Sequence, residues 1–344
     1  MSTNIKHNFA FASDNYSGVH PAIMDALVNA NDGHDKAYGY DDHSQALAEH
    51  IRQAFGRQAV GYPVFNGTGA NVLGLSAILP RFGAVICTNH AHINNDESIA
   101  PQYVAGIKLL VVDSDDGKLD PQKIHQFIRP SEHHPQARAV YITQTTELGT
   151  CYTLDELANI RQVCDKFGLY LYIDGARLSN AAAHLGCRLA DIAQFADVLS
   201  LGGTKNGLMM GECLVFLNPK LDKDILHLRK SSMQLASKMR FISAQFVVWF
   251  EQELWLSLAR HSNDMASYLY SQIKDLDGVI ITQPVQSNAV FVILAPNVVA
   301  RLHDDFHFYD WNDQTGEIRL MMSFDTTKEQ VDELVKSIKM YLQG

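Results

Sequence analysis

The 344-residue chain is 47% hydrophobic and 19% charged, enough apolar material for one large core or two unequal ones. Its 28 basic against 38 acidic side chains leave a formal charge of −10, and its 15 histidines are scattered, so nothing suggests a polyanion-binding surface and no nucleic-acid partner is expected. The N-terminal "MSTNIKHNFAFASDN" lacks the long apolar core of a secretory signal, no segment reaches the roughly 18 uninterrupted apolar residues of a membrane span, and the five cysteines form no Cys-x-x-Cys pair. A cytoplasmic protein with reduced cysteines, no membrane association and no metal site is expected.

From about residue 64 to 217, short strand-like runs alternate with stretches of helical period. In chain order the strands are expected at "AVICT" (84–88), "KLLVV" (108–112), "RAVYIT" (138–143), "LYLYID" (169–174), "DVLSLG" (197–202) and "CLVFL" (213–217). Helices are expected between them over 70–79, 121–127, 153–167 and 189–195. The third has the clearest ends: Thr153 followed three residues later by Glu156 makes a capping box, and Gly168 stops the segment. Strand, helix and strand in repetition predict parallel strands joined by helical crossovers, an α/β layered fold whose ligands bind at the carboxyl ends of the strands. After "NPKLDKDILHLRK" (218–230) the texture changes. One long helix is expected over 241–265, then strands at "GVIIT" (278–282), "AVFVIL" (289–294) and "EIRLMMSF" (317–324), and a last helix opened by "DTTKEQ" (325–330). The division expected is a large α/β domain over 21–250 and a smaller α+β domain over 251–344.

Three features fall at the expected strand ends. In "FNGTGAN" (65–71), Gly67, Thr68 and Gly69 open a helix, either as a bare N-capping turn or as a phosphate cradle made of backbone N–H groups and the helix dipole. Asp174 closes a buried strand, where a carboxylate needs a partner, either Arg177 three residues on or a ligand cation. Lys205 leaves the next strand in "GGTKNG" (202–207), either snorkelling from the sheet end or acting as an amine of lowered pKa. Together they supply what pyridoxal 5'-phosphate demands: an anion site to which Thr204 can add a donor, a carboxylate for the pyridinium nitrogen, and an amine for the Schiff base.

At this point a resemblance becomes specific. "FASDNYSG" (11–18), "YGYDD" (38–42), "FNGTGAN", "AHINNDE" (91–97), "TQTTELGT" (143–150), "DGARLSNA" (174–181), "GGTKNG" and "LASKMRFISA" (235–244) occur in order and resemble the low-specificity L-threonine aldolases, a β-eliminating lyase group of fold type I pyridoxal enzymes. The resemblance implies an aspartate aminotransferase-like large domain with a mainly parallel sheet, a small C-terminal domain, and an N-terminal arm over 1–20 that contributes to the active site. It implies Lys205 as the Schiff-base lysine, Asp174 as the pyridinium partner, and Gly67 with Thr68 as the phosphate turn. His92 matches the histidine that stacks on the cofactor and is a candidate for the substrate's β-hydroxyl proton, with Glu97 placed to orient it or a water. Arg177 and Arg319 match the arginines expected on the α-carboxylate, assisted by Ser13. Arg240 resembles a phosphate ligand, its alternative being a solvated helix face, and Tyr38 would reach a phosphate across a subunit boundary. A homo-oligomer, a dimer of dimers with sites shared between two chains, is the implied assembly. One departure stands out: some threonine aldolases carry a histidine near the substrate side chain in the loop after the middle strand, where this chain reads Thr146-Glu147-Leu148.

The implied reaction is retro-aldol cleavage of L-threonine, L-allo-threonine or a related β-hydroxy-α-amino acid to glycine and an aldehyde, acetaldehyde for threonine. The rivals on the same scaffold are a phenylserine-selective aldolase and a β-eliminating lyase. A non-catalytic sensor would lack Lys205 or Asp174, and a nicotinamide-dependent dehydrogenase would want a Gly-x-Gly-x-x-Gly spacing that "FNGTGAN" does not supply.

Overall fold

A computed structural model describes residues 11–344; the first ten residues of the expected N-terminal arm lie outside the described part. Seven strands make the larger sheet: β1 (Val60–Val64), β2 (Gly83–Thr88), β3 (Lys108–Val112), β4 (Gln136–Thr143), β5 (Tyr170–Gly175), β6 (Val198–Gly202) and β7 (Glu212–Phe216), in the order β1-β7-β6-β5-β4-β2-β3. Strands β3, β2, β4, β5 and β6 run parallel. Strands β2, β6 and β7 are buried along their whole length, as continuous apolar runs between two helical layers should be.

The sheet is mainly parallel, as expected; the exception is β7, which is antiparallel to both β6 and β1. Only residues 203–211 separate β6 from β7, too short for the dozen or more residues a crossover needs, so the chain doubles back. Strand β1 escapes a pattern reading because "VGYPV" contains Gly61 and Pro63. It lies at the sheet edge, where proline is tolerated, and a Cβ on Gly61 would sit 2.9 Å from both Ile51 and Cys213.

The helix Leu154–Phe167 has the expected capping box between Thr153 and Glu156 and ends at Gly168 in the left-handed conformation. Residues Pro121–Phe127 form a 3-10 helix. The single helix expected over 241–265 is two, Arg240–Glu251 and Leu254–Ile273, broken at Gln252 and Glu253, the latter at φ +49°. The apolar texture hides the break because both helices bury large side chains. Trp249, fully buried, donates its indole N–H to the Asn206 carbonyl. Leu254 and Leu258 then join the first core, whereas Ala266, Leu269 and Ile273 join a second one.

That second core lies under an antiparallel sheet of β8 (Ile280–Ile281), β9 (Ala289–Ile293), β10 (Tyr309–Asn312) and β11 (Glu317–Met321), ordered β10-β11-β9-β8. Helices Pro296–Asp305 and Lys328–Leu342 supply Leu302, Leu334 and Ile338 against Val290, Val292 and Leu320. Phe11 belongs to this core, and its carbonyl accepts the Met321 N–H at 2.9 Å, which fixes the segment carrying Ser13, Asp14 and Asn15. No helix among the described residues is long and apolar enough to cross a membrane.

Candidate active site

The carboxyl ends of the parallel strands converge on a cavity of about 210 Å³. Asp174 closes β5, Lys205 sits in the turn after β6, Glu147 follows β4, His92 follows β2, and Gly67 and Thr68 begin the helix Gly67–Ile78. The fold therefore gathers lining residues up to 197 positions apart in sequence (15 to 212).

Asn66 caps that helix by accepting the Gly69 N–H at 2.8 Å. The N–H groups of Gly67 and Thr68 bond no described residue and, at the positive end of the helix dipole, are free for an anion. Gly69 faces away: a Cβ there would lie 2.3 Å from Gln234 Cδ. Thr204 also lines the cavity, although its hydroxyl is shared with the Gly211 backbone at 3.1 and 3.3 Å.

Asp174, 3% exposed, does not pair with Arg177. Its Oδ2 accepts from Tyr141 Oη at 2.5 Å and Asn71 Nδ2 at 2.8 Å, and its Oδ1 accepts the Ala176 N–H at 2.9 Å. Asn71 bridges two carboxylates, since Nδ2 also reaches Glu97 Oε1 at 2.7 Å while Tyr172 Oη donates to Asn71 Oδ1 at 3.0 Å. Glu97 Oε1 in turn meets His92 Nδ1 at 2.9 Å. Burial would depress the His92 pKa, but the Glu97 hydrogen bond and the charge of Asp174 outweigh it and hold the imidazole above its ordinary value.

Lys205 Nζ makes no hydrogen bond to a described residue. Burial holds its pKa below the ordinary lysine value and Arg177 adds to this, against Asp14, Asp174 and Glu212. Burial also pushes Glu147 up to about 7 and Glu212 to about 8, the second opposed by Lys205.

Arg177 is bound by Asp14 through Nε at 2.7 Å and Nη2 at 2.9 Å, and Nη2 also touches Met321 Sδ at 3.1 Å, which leaves Nη1 as its free edge. Burial of Asp14 is outweighed by Arg177 and Lys205, so its carboxyl titrates below the usual range. Ser13 lies beside it, accepting the Asn15 N–H. Arg319, on β11, is not in the cavity wall. Its guanidinium lies over Tyr309 and Trp311, 5.0 and 4.7 Å from the ring centres, its Nη2 donates to the Ala12 carbonyl at 3.4 Å, and its buried Nε has no partner among the described residues. Burial, reinforced by Arg177, brings its pKa down to about 10.

Tyr38 and Arg240 line no part of this cavity. Tyr38 is 44% exposed beneath Lys230, and Arg240 donates to the carbonyls of Asp32 and Gly33 at 3.4 Å. The residues that sequence reasoning missed are Asp14, Asn71, Tyr141 and Glu212. Asp14 and Asn71 stand inside motifs quoted for other members, whereas Tyr141 and Glu212 look like ordinary strand residues until the register places them.

Residues 10–296 match the model of a family described as Beta-eliminating lyase. The chain is 42% identical over 335 residues to a low specificity L-threonine aldolase of Pseudomonas sp. (strain NCIMB 10558), covering 96% of each chain. It is 41% identical over 342 residues to the enzyme of that description from Pseudomonas aeruginosa, covering 98% of this chain and 99% of that one. Among solved structures, a threonine aldolase of Leishmania major superposes with a TM-score of 0.92 at 34% identity, over 96% of this chain and 99% of that one.

Proposed function

This chain belongs to the beta-eliminating lyase family, and from that premise we propose that it is a pyridoxal 5'-phosphate-dependent aldehyde-lyase, cleaving L-threonine, L-allo-threonine and related β-hydroxy-α-amino acids to glycine and an aldehyde. The observation that carries the reading is the convergence in one cavity of an unbonded, partly buried amine, a buried carboxylate and free helix-start N–H groups.

The residues fit the cofactor. Gly67 and Thr68, with Thr204, would hold its phosphate, Asp174 its pyridine nitrogen, and Lys205 would anchor it covalently. When bound, it supplies the electron sink that makes Cα–Cβ cleavage accessible. The chain's own residues do the rest. Arg177, through Nη1, would hold the α-carboxylate, fixing which bond at Cα stands in the reactive orientation, and Arg319, outside the cavity wall, is kept as a second contact only on the support of its unpartnered Nε. Asp14 keeps the Arg177 fork from turning. Glu97 holds His92 through Nδ1, leaving Nε2 to take the β-hydroxyl proton as the aldehyde departs. Lys205, its pKa lowered, is suited to exchange protons with Cα.

We further assign Tyr38 and Arg240 to the phosphate site of a neighbouring copy in a homo-oligomer, a dimer of dimers. The exposure of Tyr38 and the placement of both residues outside their own cavity support this. Residues 21–250 and 251–344 are taken as the two domains, supported by the two apolar cores although Leu254 and Leu258 pack in the first, and the described part of the arm, 11–20, reaches the cavity at Asn15, beside Ser13 and Asp14. The free, mostly buried cysteines favour a cytoplasmic setting.

The test is the visible spectrum of the protein with cofactor, followed by acetaldehyde assay with L-threonine and L-allo-threonine. A band near roughly 420 nm that Lys205→Ala abolishes, together with aldehyde release, is the expected result. A lysine-dependent band without aldehyde would move the activity to elimination, and no band with cofactor in excess would refute the reading.

A further inference from the structure

Two acids lining the cavity, Glu147 and Glu212, have no part in that account, and of the two Glu147 is the one beside His92. Glu147 stands on the loop after β4, on the wall it shares with His92 and Thr143. Its Oε1 accepts two hydrogen bonds, from the His92 backbone N–H and from Thr143 Oγ1, both at 2.7 Å. Its Oε2 accepts none from another described residue, the Glu147 backbone N–H being the further donor that faces this carboxyl. The loop is itself tied down: the Thr146 N–H donates to the Thr150 carbonyl at 2.9 Å, and Thr150 Oγ1 donates to the Asp116 carbonyl at 2.6 Å. A carboxyl pinned through one oxygen on a fixed loop presents the other as a preorganised acceptor.

The neighbouring carboxylates are engaged differently. Both oxygens of Asp174 are taken by protein donors, Glu97 Oε1 serves Asn71 and His92 while its Oε2 is fully buried, and Glu212 accepts the Gly203 N–H on the Lys205 side. The wall made by Glu147 adjoins His92, the group assigned to the β-hydroxyl proton. We propose that Glu147 is the specificity-determining acceptor for the substrate's β-hydroxyl, its Oε2 taking that hydroxyl's hydrogen bond while the substrate is bound and the single proton then passing to His92 Nε2 on the same wall as the Cα–Cβ bond breaks. This rests on the aldolase reading. A hydroxyl bound to a carboxylate makes a charge-assisted hydrogen bond, and a site built for it discriminates against a substrate that lacks the hydroxyl or offers it from the other configuration at Cβ.

The test uses the full-length holoenzyme. Glu147→Gln keeps the side chain's size and one oxygen for His92 and Thr143, but it removes the carboxylate acceptor. The expected result is a fall of about 10- to 100-fold in kcat/KM for aldehyde release, with a changed ratio between L-threonine and L-allo-threonine. Glycine, which has no β-carbon, should bind the variant as it binds the unaltered enzyme, read from the change it causes in the cofactor's visible spectrum. Glu147→Asp, which withdraws the carboxylate by one methylene, should change the ratio with a smaller loss. Cleavage by Glu147→Gln within about twofold of the unaltered enzyme overturns the proposal. Glycine affinity falling as far as threonine turnover also overturns it, because the role would then be structural. If the unaltered holoenzyme releases no aldehyde from either substrate, the aldolase reading fails and this proposal falls with it.

Discussion

Replacing Asp14 by Asn tests whether the buried pair with Arg177 holds the N-terminal segment over the site. Asp14 is 1% exposed and is met by Arg177 Nε at 2.7 Å, Arg177 Nη2 at 2.9 Å and Asn288 Nδ2 at 3.1 Å. Removing one charge of such a pair leaves the other buried and uncompensated, a loss of about 3–5 kcal/mol. The Asn oxygen still accepts one guanidinium N–H, so the lower end applies, about 3 kcal/mol. A chain of 344 residues unfolds with an entropy of about 0.7 kcal/mol per kelvin, so Tm should fall by about 4 °C at pH 7. The sign with pH is fixed. The folded pKa of Asp14 lies below its ordinary 3.8, so the stabilisation is present above about 3.8 and is lost as pH falls through the folded value. Asn has nothing to titrate there, and the two melting curves should converge at the acid end. Scanning calorimetry of both proteins from pH 7 downward is the assay. Equal Tm at pH 7, or a gap that stays constant into the acid range, would refute the reasoning.

Two further outcomes are expected from urea unfolding. Glu147, ordinarily near 4.5, titrates at about 7 in the fold, so its neutral form contributes stability that is full below about 4.5 and lost as pH rises through about 7. Glu147→Gln should therefore be more stable than the unaltered protein by about 3 kcal/mol at pH 8, with no difference near pH 4.5; a difference independent of pH would contradict this. Gly69→Ala drives a Cβ to 2.3 Å from Gln234, whose Oε1 accepts the Phe65 N–H at 3.0 Å, and should cost about 1–3 kcal/mol at any pH.

The residues that were legible in the sequence are those whose chemistry is local. Thr153, Glu156 and Gly168 mark their helix because capping needs only neighbours three or four positions away. Lys205, Asp174 and the Gly67 turn are readable because each terminates an apolar run. What stayed hidden depends on pairing. Glu212 becomes a site residue only because β7 reverses and sets it opposite Gly202. Tyr141 reaches Asp174 because β4 and β5 are in register, with Thr143 opposite Asp174. Arg177 follows Asp174 by three residues, which suggested an ion pair between them, yet its partner Asp14 comes from 163 residues away. The break at Glu253 left no mark because apolar side chains continue on both sides of it.

The helix Leu254–Ile273, about 30 Å long, is common property of the two hydrophobic interiors. Its first turns are packed with the large sheet's layers and its last with the antiparallel sheet. Fraying from Ile273 backward uncovers Leu269 and Ala266 of the second interior first and reaches Leu258 and Leu254 of the first only in the last turns. The helix thus couples the two interiors mechanically, and the stability of the half that carries the cavity includes residues that do not line it.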